Sequence, residues 1–224
     1  MCNAQTNVNI QARSFVYFSM ALHGRRPLPA HPPAGDYPAE LATAWPLVYG
    51  RSITVRPIRA DDADIERRFL DGLSPETRYH RFLGGGIVVT PEWLARLTDI
   101  DYRTHMAFVA TTLTGGAEEM IAVARYIRLA EDETSAEYAI TVADAWQGHG
   151  IGRRLMTMLI AHARGAGVRR LVGEILGSNA GMLHMMHSLG FEVHHHPDAC
   201  ELRLATLDVA SEAPSASNDR AFAG

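Results

Sequence analysis

Apolar positions along the chain change period several times, and each change predicts an element. Ile53-Thr54-Val55-Arg56-Pro57-Ile58 alternates and reads as a first strand that Pro57 ends. Asp61 and Asp62 then place acids at a helix start, followed by Ile65, Phe69 and Leu70 at helical spacing. Ser74-Pro75-Glu76-Thr77 begins a second helix, with serine as N-cap and proline at the first helical position. Thr90-Pro91-Glu92-Trp93 repeats that device for a third helix through Leu97, and Gly84-Gly85-Gly86 is a break between the two.

From residue 104 the period becomes two. Met106–Leu113, Met120–Leu129 and Ala136–Val142 predict three strands joined by Thr114-Gly115-Gly116 and Glu131-Asp132-Glu133, connections short enough for an antiparallel meander. A helix follows with Ile151, Leu155, Met158, Leu159 and His162 on one face. Val168–Leu176 is expected as a strand, Asn179–Leu189 as a helix, and Phe191–His195 and Cys200–Thr206 as closing strands. The predicted fold class is α/β: one mixed, mostly antiparallel sheet with helices on both faces, in a single domain.

The turn between the third meander strand and its helix carries the chemistry. Gln147-Gly148-His149-Gly150-Ile151-Gly152 places glycines where a ligand can approach the main chain without a Cβ in the way. The first N–H groups of a helix have no internal acceptor, and the helix dipole adds positive potential there. Together they suit a phosphate or pyrophosphate. A Walker loop requires Gly-Lys-Ser/Thr, whereas Arg153 and Arg154 follow Gly152 here. The spacing also departs from the Gly-x-Gly-x-x-Gly dinucleotide fingerprint. A glycine-rich turn that only joins strand to helix is the competing reading.

Composition narrows the classes. With 224 residues, 47% of them hydrophobic, the chain can bury a real core. A formal charge of −4, from 21 basic and 25 acidic residues, argues against broad affinity for nucleic acid or membranes. Cys2 and Cys200 make no disulfide framework and lack metal spacing, which fits a cytoplasmic protein. The apolar run Phe15–Leu22 is far short of the roughly 20 residues that span a bilayer. Residues 1–50 are expected as a Pro-rich leader, partly ordered at most, in which Met20 is an alternative start. Residues 51–210 form the domain, and 211–224 a flexible tail.

That element order, with Gln147-x-x-Gly150-x-Gly152 after the fourth strand and Asn179…Leu189-Gly190-Phe191 near the end, resembles the GNAT superfamily of acetyl-CoA-dependent N-acetyltransferases. The resemblance runs from about Arg51 to Leu207. Val55-Arg56-Pro57-Ile58-Arg59-Ala60-Asp61-Asp62 and Leu73-Ser74-Pro75-Glu76-Thr77-Arg78-Tyr79-His80-Arg81-Phe82 further resemble the acetyltransferase domain of Pat-type bacterial protein lysine acetyltransferases. Those domains are often fused to others; at this length a free-standing relative is expected.

The resemblance implies an acetyl-CoA co-substrate whose pyrophosphate lies on the main-chain N–H groups of Gln147, Gly148, His149, Gly150, Ile151 and Gly152. Val142 offers backbone groups to the pantetheine arm as an added strand would. Arg153, Arg154 and Arg169 are candidates to meet phosphates by charge, against plain surface solvation. Asn179 either caps the last helix or touches the cofactor.

Glu137 is the expected general base. It shares a strand face with Ala139 and Thr141, where partial desolvation raises a carboxyl pKa, and the family's catalytic glutamate falls at this position. The alternative is an exposed charge paired with Arg125 or Arg128. Many members carry a proton-donating tyrosine in the last helix; Met186 stands there, so no general acid is assigned. Tyr79 and Arg81 are candidates for the acceptor side, and Phe82 for core packing. His184, His187 and His194-His195-His196 suggest a metal, but adjacent strand residues point to opposite faces, and none is expected.

The expected activity is acetyl transfer to a protein lysine ε-amine. Small-molecule amine acetylation and a non-catalytic acyl-CoA sensor are the alternatives. Partners are acetyl-CoA and a protein or small-molecule amine acceptor, with a homodimer as a further option and neither nucleic acid nor membrane.

Overall fold

The computed structural model describes residues 35–48, 50–84 and 88–210. Residues 1–34 of the expected leader, with Cys2, Met20 and the Phe15–Leu22 run, lie outside the described residues, as do Gly85-Gly86 and the expected tail 211–224.

Among the described residues eight strands form one sheet: β1 (Thr43–Val48), β2 (Arg51–Pro57), β3 (His105–Thr114), β4 (Ala117–Leu129), β5 (Asp132–Val142), β6 (Arg170–Leu176), β7 (Glu192–His195) and β8 (Leu202–Asp208), in the order β1-β2-β3-β4-β5-β6-β8-β7. All neighbours are antiparallel except β5 and β6. Among the described residues five α-helices accompany them: α1 (Ala63–Asp71), α2 (Pro75–Arg81), α3 (Pro91–Thr98), α4 (Ile151–Gly165) and α5 (Ala180–Ser188). Among the described residues no helix is long and apolar enough to cross a membrane.

Local rules account for most of these elements. Gly115 and Gly116 both adopt positive φ, 59° and 85°, in the two-residue β3–β4 turn. That is the geometry whose twist matches a hairpin. Ser74 and Thr90 cap α2 and α3 by accepting hydrogen bonds from the N–H groups of Thr77 (3.1 Å) and Trp93 (3.2 Å).

The alternation of β3 to β5 divides the core in two. Phe108, Tyr126, Tyr138 and their same-face neighbours pack with Leu155 and Leu159 of α4 and Met186 of α5. Val109, Val123 and Ala139 on the other face pack with Phe69, Leu94 and Leu97 of α1 and α3. Each fully buried leucine or phenylalanine contributes about 1.5–3 kcal/mol of transfer free energy.

Two expectations change. The sheet begins at Thr43, inside the expected leader, and Trp45 of β1 is buried against the α4 face. Pro46 interrupts the strand pattern there and is tolerated because β1 is an edge strand, its pairing with β2 shifting register between Trp45 and Val48. The buried stripe of α4 is Ile151, Leu155, Met156, Leu159 and Ala163, while Met158 and His162 are only half-buried.

Candidate active site

The cleft comes from an unfinished pairing. Parallel β5 and β6 share only the pairs Ser135↔Arg170, Ala136↔Leu171 and Glu137↔Val172, although β5 continues to Val142 and β6 to Leu176. Beyond Glu137 the strands part, opening a cleft of about 820 Å³. Where they diverge, the Tyr138 ring lies across β6, and a Cβ on Gly173 would sit 2.7 Å from its Cε1 and Cζ. Gly173 is therefore needed for close approach.

Main chain dominates the α4 side of the cleft. The Ala143 N–H bonds to the Ile121 carbonyl on the β4 side at 2.8 Å. By strand alternation, the N–H groups of Ile140 and Val142 face the opening. Gly148 and Gly150 both have φ of +76°, and a Cβ at either would meet nothing within 4 Å, so their constraint is conformational. The second of these precedes α4 directly, and no side chain caps that helix. The N–H groups of Ile151, Gly152 and Arg153 thus have no backbone acceptor within the helix and suit an anion. Gly152 acts differently: its Cβ would lie 3.4 Å from both Met185 Sδ and Val142 Cγ2, so it allows α5 and β5 to approach.

Some predicted contacts are engaged elsewhere. The Gln147 N–H donates to the Asp144 carbonyl at 3.2 Å, which removes it from the expected set of anion-binding N–H groups. Its side-chain amide donates to the Val142 carbonyl (3.0 Å) and to Thr77 Oγ1 (3.2 Å), leaving Val142 its N–H for a ligand. His149 is exposed and lies outside the cleft wall. Arg153 lines the cleft and donates to the Ser188 carbonyl at 3.3 Å. Arg154 stacks its guanidinium on Trp45, 4.1 Å from the ring centroid. Arg169 precedes β6 at the end remote from the glycine turn, bonded to Thr134, and is not brought to the site. Asn179 lines the cleft and caps α5, accepting from the Met182 N–H at 3.1 Å.

Charged side chains dominate the opposite face. Glu137 is 7% exposed on the wall of the cleft. The surface pairing weighed from the sequence does not form: Arg128 donates to the carbonyls of Arg103, Glu133 and Ala166, and Arg125 to Glu66 and the Leu97 carbonyl. Arg125 and Glu66 are both almost fully buried. Arg81 of α2 stands beside them and near Glu137. Burial and the adjacent Arg125 lower its guanidinium to about 10, against the opposing pull of Glu66 and Glu137.

Asp144 ties α2 across the mouth of the cleft. It accepts from the Ser74 N–H (2.9 Å), the Ser74 hydroxyl (2.6 Å) and the Thr77 hydroxyl (2.7 Å). Its partial burial opposes ionisation, but these donors outweigh it and hold the carboxyl below its ordinary range.

Neither this clamp nor the Glu66–Arg125 pair was foreseen. The second left a trace, since Arg125 interrupts the apolar run Ile121-Ala122-Val123-Ala124, and a buried arginine needs a partner. Met186 is fully buried, while His187 and Ser188 are exposed and stand outside the cleft wall. Among the described residues no three His, Cys, Asp or Glu side chains converge as a metal site.

Residues 77–191 match the model of the acetyltransferase (GNAT) family. An acetyltransferase of Pseudomonas aeruginosa is 39% identical over 149 residues, which cover 66% of this chain and 80% of that protein. The acetyltransferase Pat of Mycolicibacterium smegmatis is 37% identical over 144 residues, 63% of this chain and 41% of the longer relative. Among solved structures, the GNAT domain of S. lividans PAT superposes with a TM-score of 0.68 at 29% identity, over 77% of this chain and 99% of that domain.

Proposed function

The chain belongs to the GNAT acetyltransferase family, and from that premise we propose that it acetylates a protein lysine ε-amine by direct transfer, with Glu137 as general base. It is an N-acetyltransferase, and acetyl-CoA is its co-substrate. The thioester supplies an activated acetyl group. The chain must hold that donor, bring a neutral amine to it, and take up the proton the amine gives up.

The α4 side suits the donor. N–H groups of Gly148, Gly150, Ile151, Gly152 and Arg153 are suited to the pyrophosphate, with the His149 backbone between the two glycines. The open edge of β5, through the Ile140 and Val142 N–H groups, pairs with the amides of the pantetheine arm. Arg153 adds charge nearby, and Asn179 contributes by ordering the first turn of α5.

Glu137 carries the reading. It is a buried carboxylate in the cleft wall where β5 and β6 part, on the face away from α4. A base there reaches an amine that enters from the α2 side while the donor lies on the α4 side. Arg81 of α2 stands close to Glu137 on the acceptor side of the cleft. Likeness to the Pat acetyltransferase and to the PAT domain favours a protein lysine as acceptor.

The test is acetyl-CoA turnover in a cell lysate, with mass spectrometry of the acetylated products. Label in lysine side chains of proteins supports the proposal. Label only in small amines overturns the choice of acceptor.

A further inference from the structure

Glu66 of α1 is 1% exposed and gives one oxygen, Oε1, to the Arg125 guanidinium. Its other oxygen, Oε2, is buried and accepts no hydrogen bond from any described residue. Arg125 donates through Nη2 while its Nε–H stays unpaired, so the pair does not close the fork that would use both oxygens. A carboxylate has room for donors at each oxygen, and burying one without a donor is unfavourable. Three charged groups act on this carboxyl: Arg125, Arg81 and Asp62. Asp62 is itself held by Arg56 at 2.7 and 2.8 Å. Of the three, Arg81 is the one that can bring a further donor to Oε2.

Arg81 of α2 stands between two carboxylates. Its side chain is half-buried, lines the cleft, and is acted on by both Glu66 and Glu137. Its guanidinium carbon lies 5.4 Å from the Phe82 ring centroid, over a face that favours a cation. An alkyl amine arrives at neutral pH as an ammonium ion, and two cations beside one buried carboxylate repel.

We infer that Arg81 is a displaceable cation: it stands at Glu137 in the resting cleft, and the acceptor's ammonium group drives it onto Glu66 Oε2. Glu137 then faces the ammonium group and takes its proton. Repulsion from Arg125 opposes the Glu66 position, and Arg81 returns once the neutral amide product has left. Only an amine that arrives as a cation makes this exchange, so the acceptor class is cationic amines such as a lysine side chain. The inference rests on the reading of Glu137 as general base.

The test compares wild type with Arg81→Met and Arg81→Lys, using Nα-acetyl-lysine methylamide and spermidine as acceptors. Amine binding is read by calorimetry on CoA-saturated protein and as KM in initial rates. Arg81→Met removes the competing charge at similar length and should tighten both amines about threefold or more, the size of a partly screened charge pair. Arg81→Lys keeps the charge and should stay within about twofold of wild type, as should acetyl-CoA affinity in both variants. Glu66→Gln keeps the shape but removes the charge that receives Arg81, so amine binding should weaken about threefold. In Glu66→Gln/Arg81→Met it should return to that of Arg81→Met alone, since both residues act through one exchange. Thermal unfolding shows whether the Glu66 variants fold, and Arg81→Met decides the question without them.

Unchanged or weaker amine binding in Arg81→Met overturns the inference, as does binding of neither amine by either protein. So does a loss in Arg81→Met confined to kcat, which marks Arg81 as holding Glu137 in place. If Glu137→Gln loses turnover while Arg81→Met binds amines as wild type does, this inference fails and the general base stands. Retained turnover in Glu137→Gln removes the base, and the exchange at Arg81 with it.

Discussion

The two sides of the cleft are built from different materials. On the α4 side the groups that face a ligand are backbone N–H groups, set by two left-handed glycines and by the β6-facing edge of β5, which no strand pairs beyond Glu137. On the α2 side they are acidic and basic side chains, several of them buried and held by another such group or by a fixed donor. A main-chain site depends on backbone conformation and tolerates many side chains around it. A side-chain site depends on pairwise electrostatics in a low dielectric, where one lost partner is costly. Donor binding should therefore fail through conformation, and acceptor chemistry through charge.

The sharpest way to separate the two sides is Glu137→Gln. Turnover should fall by about 10²–10⁴, the range for losing a general base, while acetyl-CoA affinity by calorimetry stays within about twofold. Unchanged turnover would take the chemistry away from this residue.

Next in size is Arg125→Leu, which leaves Glu66 buried without its cation and should cost about 3–5 kcal/mol in denaturant unfolding. The double variant Glu66→Leu/Arg125→Leu should recover much of that loss. If it does not, packing rather than charge holds α1 to the sheet.

A smaller effect belongs to the donor side. Gly150→Ala adds a Cβ that meets nothing but must adopt φ of +76°. The cost of that conformation is about 1–2 kcal/mol, read as roughly 10-fold weaker acetyl-CoA binding. Gly150→Asn should recover part of it, since asparagine tolerates this region. Equal losses for both would show steric exclusion by the ligand instead.

The smallest concerns the clamp. Asp144 has a depressed pKa, so its stabilising hydrogen bonds are fully present above the unfolded value and vanish as pH falls through the lower folded value. Hydrogen exchange in the first turn of α2 should speed up in acid, and Asp144→Asn should remove most of that pH dependence. An unaltered profile in the variant would mean another carboxylate orders α2.

The elements that follow local rules were readable in advance. Ser74 and Thr90 announce capped helices, Gly115-Gly116 a tight hairpin, and the glycines before α4 an open helix start. All of these depend on residues a few positions apart. β1 was not readable, because Pro46 disguises a strand whose partner supplies the pairing. The same limit applies to Arg154 and Gln147. Their side chains look available in the sequence, yet Trp45, Val142 and Thr77 engage them from elements up to about a hundred residues away.

The order of elements, the two-faced alternation of β3 to β5 and the uncapped helix start were determined by the chain's own short-range pattern, since period and backbone conformation are local properties. Only the tertiary structure decided where β5 and β6 stop pairing, and hence where the cleft lies. It also brought Glu137, Arg81 and the Glu66–Arg125 pair together, and set Glu174 against His196. Those facts depend on long-range packing and on charges excluded from water, and neither is written in the spacing of residues along one strand or helix.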